Sequence, residues 1–84
     1  MNEKQILNDL LAEAKQIAGV RCAEMKMRFM HVTCEQPDYC IVATTNNSAL
    51  NDRMIAKKLD KLIRKYNEKY GLIEQGVYVF FQIA

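Results

Sequence analysis

The chain predicts an α+β domain, a two-layer sandwich in the order α-β-β-α-β, with two helices on one face of a three-stranded, mostly antiparallel sheet. Two segments repeat apolar residues at helical spacing and three follow strand spacing, with glycines punctuating the helix ends. At 84 residues there is room for one hydrophobic core, so residues 1–84 are expected to form a single domain.

Residues 3–18 read as the first helix. On a helical wheel Ile6, Leu7, Leu10, Leu11, Ala14, Ile17 and Ala18 fall within an arc of about 140°. Asn2 and Gln5 have the spacing of an N-cap and its capping-box partner, and Gly19 supplies a left-handed stop. Residues 20–34 then change period. Ala23, Met25, Met27 and Phe29 alternate with Glu24, Lys26 and Arg28, as in a strand with one wet face. Beyond Phe29 the apolar parity moves to Met30, Val32 and Cys34, which predicts a bulge or bend near residues 29–31. Glu35-Gln36-Pro37-Asp38 has the chemistry of a turn.

Residues 39–45, Tyr-Cys-Ile-Val-Ala-Thr-Thr, are apolar on both parities and rich in β-branched types, which predicts a central strand. Asn46-Asn47-Ser48 forms a loop ending in an N-cap at Ser48, before a second helix over 49–70 closed by Gly71. Its apolar arc holds Ile55, Leu59, Leu62, Ile63, Tyr66 and Tyr70. The last strand, 77–83, places Val77, Val79, Phe81 and Ile83 on one parity and Tyr78, Phe80 and Gln82 on the other. A crossover through the second helix would set this strand beside the first and antiparallel to it, giving the strand order 2-1-3.

Composition narrows the function classes. Half the residues are hydrophobic and 26% are charged, a balance that predicts folding over disorder. No apolar run approaches the ~18 residues of a membrane span, and no basic segment followed by an apolar run opens the chain. Three cysteines, Cys22, Cys34 and Cys40, are an odd number without an export signal, so reduced thiols and a cytoplasmic location are expected. The net charge of +2 is too small to argue for nucleic acid by itself.

Two surfaces carry a functional expectation. If the helices cover the Val77, Val79, Phe81 and Ile83 face, then Tyr78 and Phe80 stand on the other, with Lys26 and Arg28 of the first strand. Large rings on an uncovered sheet favour a partner. A homodimer is the plainest, and aromatic residues beside basic ones also resemble a base-stacking platform. The second surface is the basic side of the second helix, where Arg53, Lys57, Lys58, Lys61, Arg64, Lys65 and Lys69 spread over about 160° of the wheel. Arg53, Lys57, Lys61, Lys65 and Lys69 form an unbroken i, i+4 ladder of like charge, which an anionic partner would relieve. A solvated face of good helix formers, with Asp60 supporting Arg64, is the simpler reading of the same residues.

His31, Cys34, Cys40 and Cys22 can be assembled into a four-ligand zinc set only on paper. No Cys-x2-Cys pair exists, and buried cysteines are common as small hydrophobes. One histidine, scattered carboxylates and no Gly-rich phosphate loop give no nucleophile with base and orienting group, so neither an enzyme nor a cofactor is expected. The element order is loosely similar to that of KH-like RNA-binding domains, but no Gly-x-x-Gly loop is present, so the likeness is one of topology. The expectation is therefore a small non-catalytic protein-binding module of the inhibitor or regulator kind, self-associating through its last strand and aromatic face. The alternative is a nucleic-acid-binding protein using the basic helix.

Overall fold

The computed structural model describes residues 2–28, 38–45 and 49–84. Helix α1 (Glu3–Lys15) is followed by strands β1 (Val20–Arg28) and β2 (Asp38–Thr45), helix α2 (Ala49–Tyr70), a short 3-10 turn (Ile73–Gln75) and strand β3 (Val79–Ile83). The class is α+β with a mixed three-stranded sheet. The expected bulge at 29–31, the proline turn and the Ser48 cap lie outside the described residues.

Helix α1 begins as its sequence requires. The Asn2 side chain accepts a hydrogen bond from the Gln5 backbone N–H at 2.9 Å, satisfying one of the orphan donors of the first turn. The helix ends three residues earlier than the wheel implies. From Gln16 the chain tightens through i to i+3 bonds, Gln16 N–H to Glu13, Ile17 N–H to Ala14 and Val20 N–H to Ile17, and reverses at Gly19. There φ is +95°, and an added Cβ would lie 2.9 Å from Ile55 Cδ1. Only glycine holds that conformation without strain.

The strand order is β1-β2-β3, which corrects the 2-1-3 order derived from the crossover. Strand β3 runs parallel to β2, pairing Tyr39 with Val79, Ile41 with Phe81 and Ala43 with Ile83. Strand β1 runs antiparallel to β2 on its other side, with Met25 opposite Ile41 and Lys26 opposite Cys40. The physical reason is already in residues 39–45. A strand apolar on both parities belongs in the middle of a sheet with both of its edges paired, whereas the charged parity of β1 suits an edge. The β1–β2 register shifts once, between Val20 and Cys22, so two residues of β1 span one of β2.

Both helices lie on one face. Helix α1 packs over β1 and α2 over β3, and the two helices touch each other. Ile6, Leu7, Leu10 and Ala14 of α1 meet Ile55, Leu59, Ile63 and Tyr66 of α2 over Ala23, Ile41, Ala43, Val77 and Val79 of the sheet layer. Leu72 plugs the end of this core. The Leu72 carbonyl also accepts the Val77 N–H at 2.9 Å, which aims the chain into β3. Met27, expected inside with Ala23 and Met25, is 63% exposed, because α1 covers only part of the long β1.

Candidate association surfaces

The helix-free face is built from alternate residues of three strands. Register fixes two rows across it, Lys26–Cys40–Phe80 and Glu24–Val42–Gln82, with Tyr78 entering on the same parity as Phe80. Tyr78 is 40% and Phe80 43% exposed. Lys26 therefore shares their face as expected, but β2 stands between it and the rings, so the basic and aromatic residues are not interleaved. Arg28 stands opposite Asp38 in the register. The middle of the face belongs to Cys40, buried yet outside the main core cluster, and to half-buried Val42. Their contribution was legible in the double parity of residues 39–45.

The backbone of β3 adds something that side chains do not report. The Tyr78 carbonyl accepts the Tyr39 N–H at 2.9 Å, and the Ala84 N–H donates to the Ala43 carbonyl at 2.8 Å. Successive residues of a strand direct their polar groups to opposite sides. Even-numbered residues of β3 thus face β2, and Val79, Phe81 and Ile83 turn their N–H and C=O groups outward. Among the described residues no strand pairs with that outer edge.

The helical layer carries the second surface. All seven basic residues of α2 are exposed. Arg64 is held by Asp60 at 3.1 Å, Lys65 approaches Glu13 of α1 at 3.8 Å, and Lys69 lies 5.2 Å from the centre of the Tyr70 ring. Arg53, Lys57, Lys58 and Lys61 have no ion-pair partner among the described residues. A groove of about 510 Å³ runs between the helices, walled by Lys58, Lys61, Lys65 and Glu13 with Ile17 and Leu62 below. Smaller depressions that share Lys58, one of them also lined by Asp60, continue it toward Met54. Sequence reading found the cations but not the groove, because its apolar floor draws on both helices.

Buried Tyr66, half-buried Tyr39 and one threonine pin these layers together. Burial, and then a hydrogen bond with Glu13 and its charge, push the Tyr66 hydroxyl well above its usual range. Tyr39 is raised too, first by burial and then by Glu3, whose carboxylate accepts its hydroxyl at 3.2 Å. The buried Thr45 hydroxyl donates to Asp52 at 2.6 Å, tying the end of β2 to the first turn of α2.

Comparison of the chain with known protein families, curated proteins and solved structures finds no match. Among the described residues no three His, Cys, Asp or Glu side chains gather as a metal site. Cys22 is exposed and Cys40 buried, while His31 and Cys34 lie outside the described residues. No helix among the described residues is long and apolar enough to cross a membrane.

Proposed function

We propose that this domain is a small protein-binding module, of the inhibitor or regulator kind, that works by association and joins a second copy of itself through β3 and the adjoining aromatic face. The observation that carries this reading is the coincidence of two features on β3 and the residue leading into it. Tyr78 and Phe80 stand exposed on the helix-free face, and the same strand offers an outward row of backbone donors and acceptors.

That edge is self-complementary. An antiparallel two-fold pairing centred on Phe81 sets Phe81 opposite Phe81 of the second copy, and Val79 opposite Ile83 of the second copy. These are the residues whose N–H and C=O groups point outward, so each becomes a hydrogen-bonded pair. On the open face, Phe80 comes diagonally near its own counterpart, within reach for aromatic contact. On the helix side, half-buried Phe81 and Ile83 lose their remaining exposure. Five paired residues bury well under the ~800 Å² per partner of a standard interface, so a dimer in the micromolar range is expected.

Sedimentation or light scattering across a concentration series tests this. The unmutated protein is expected to dimerise at high micromolar concentration, and Phe80→Glu or Tyr78→Glu to be a folded monomer by circular dichroism. Phe81→Lys, which sets like charges directly opposite each other, should abolish pairing as well. An unmutated protein that stays monomeric throughout, or a Phe80→Glu variant that dimerises as tightly, would overturn the reading.

A further inference from the structure

The groove between α1 and α2 lies on the opposite side of the molecule from the face proposed for self-association, and its chemistry is different. From Met54 to Lys65 it follows about three helical turns, or roughly 17 Å, of α2. Cations line it at spacings of three and four residues, Lys58, Lys61 and Lys65, so they share one side of the helix. Ile17 and Leu62 supply an apolar floor, and half-exposed Met54 extends it.

We infer that this groove is a docking site for an acidic amphipathic helix of a protein partner, with the partner's apolar stripe on Ile17, Leu62 and Met54 and its flanking carboxylates on Lys58, Lys61 and Lys65. Charge complementarity selects an anionic ligand, and the floor selects among anions. A nucleic-acid backbone has no apolar stripe to lay on Ile17 and Leu62, whereas an amphipathic helix buries one. Glu13 points the same way. It stands in the wall beside Lys65, where it would repel a continuous run of phosphates but can be bypassed by a helix with discrete carboxylates. Lys65 then exchanges Glu13 for a partner carboxylate, and Lys58 and Lys61, without an ion-pair partner among the described residues, gain counter-charges. Met54, with its flexible thioether, suits a floor that adapts to different apolar side chains.

The test uses the full chain and a synthetic peptide of about 18 residues, long enough to span the groove, with leucines at i, i+3, i+4 and i+7 flanked by glutamates. A second peptide has the same composition scrambled to destroy the apolar stripe, and labelled single- and double-stranded DNA and RNA of similar length complete the set. Fluorescence anisotropy at about 50 mM and about 200 mM salt should show the amphipathic peptide binding at least about tenfold more tightly than the scrambled one. Lys58→Glu with Lys61→Glu, and separately Leu62→Asn, should each weaken it by a similar factor with the helical signal retained. Equal binding of both peptides would overturn the inference by reducing the groove to a charged surface. Nucleic acid bound more tightly than the amphipathic peptide would overturn it in favour of a phosphate-binding face, and binding of none of these ligands would overturn it outright.

Discussion

At the scale of the residue, polar groups at the margins of the core set how this fold responds to pH. Tyr66 is buried, and its hydroxyl resists ionisation because burial and Glu13 both disfavour a phenolate there. The unfolded chain ionises the same group near its usual value of 10.0. Below that value both states hold the proton and its stabilisation is fully present. As pH rises past about 10 the unfolded state loses the proton first, and stability falls by up to ~1.4 kcal/mol per pH unit for each such tyrosine. Tyr66→Phe is expected to cost about 1 kcal/mol at neutral pH through its lost hydrogen bond. It should also flatten the alkaline slope, leaving the smaller share due to Tyr39. Urea melts at pH 8 and at several values above 10 measure both effects, and an unchanged alkaline slope in the variant would show that Tyr66 is not the responsible group.

At the scale of the element, α2 is less stable than its composition allows. The ladder Arg53, Lys57, Lys61, Lys65, Lys69 places like charges at every i, i+4 step, each worth roughly 0.2 to 0.5 kcal/mol of repulsion. Lys61→Glu turns two repulsive steps into attractive ones and is expected to stabilise the isolated protein by about 0.8 to 2 kcal/mol at low salt, with the gain fading as salt screens it. Thermal melts at low and high salt read this directly. A substitution that raises stability while removing peptide binding separates the ladder's functional cost from its structural one. Helix α2 was legible from end to end, Ala49 to Tyr70, because an amphipathic period closed by Gly71 is a local signal. The end of α1 was less so. Ile17 stays half-buried and keeps its place in the apolar arc although the backbone leaves the helix at Lys15, so side-chain periodicity overshot the hydrogen bonding. Strand β3 was likewise expected from Val77, which is buried but enters the sheet from the turn at Gly76.

At the scale of the whole molecule, the two proposed surfaces interact through the sheet. Because α2 overlies β3 and β3 is an edge strand, pairing two copies along that edge brings both α2 helices to the middle of the same face. A continuous six-stranded sheet would then carry two basic ladders side by side. Their mutual repulsion opposes the dimer, so self-association is expected to tighten as salt rises from about 50 mM toward about 500 mM, where the screening length drops well below the ~10 Å between neighbouring helices. Sedimentation at several salt concentrations measures this. A dimer that weakens with salt would mean that charge attraction, not the strand edge, holds it. The acidic peptide bound to the helix layer should tighten the dimer in the same way as salt, by neutralising the ladders.

Within this protein, the local signals were sufficient for the elements and their faces. Alternation in β1, double parity in 39–45 and the rings of Tyr78 and Phe80 are properties of consecutive residues, so the α+β class and the aromatic face could be read without coordinates. Neighbour choice could not. Whether β3 joins β1 or β2 depends on contacts between residues far apart in the chain, and each order buries the same parity of β3. The double parity of 39–45 already marked β2 as central, but only the assembled sheet decides that β3 lies beside it, that Val79, Phe81 and Ile83 turn their backbone outward, and that Ile17 and Leu62 lie together beneath a row of lysines. Periodicity says which side of an element is apolar, and the packing of distant segments says what that side meets.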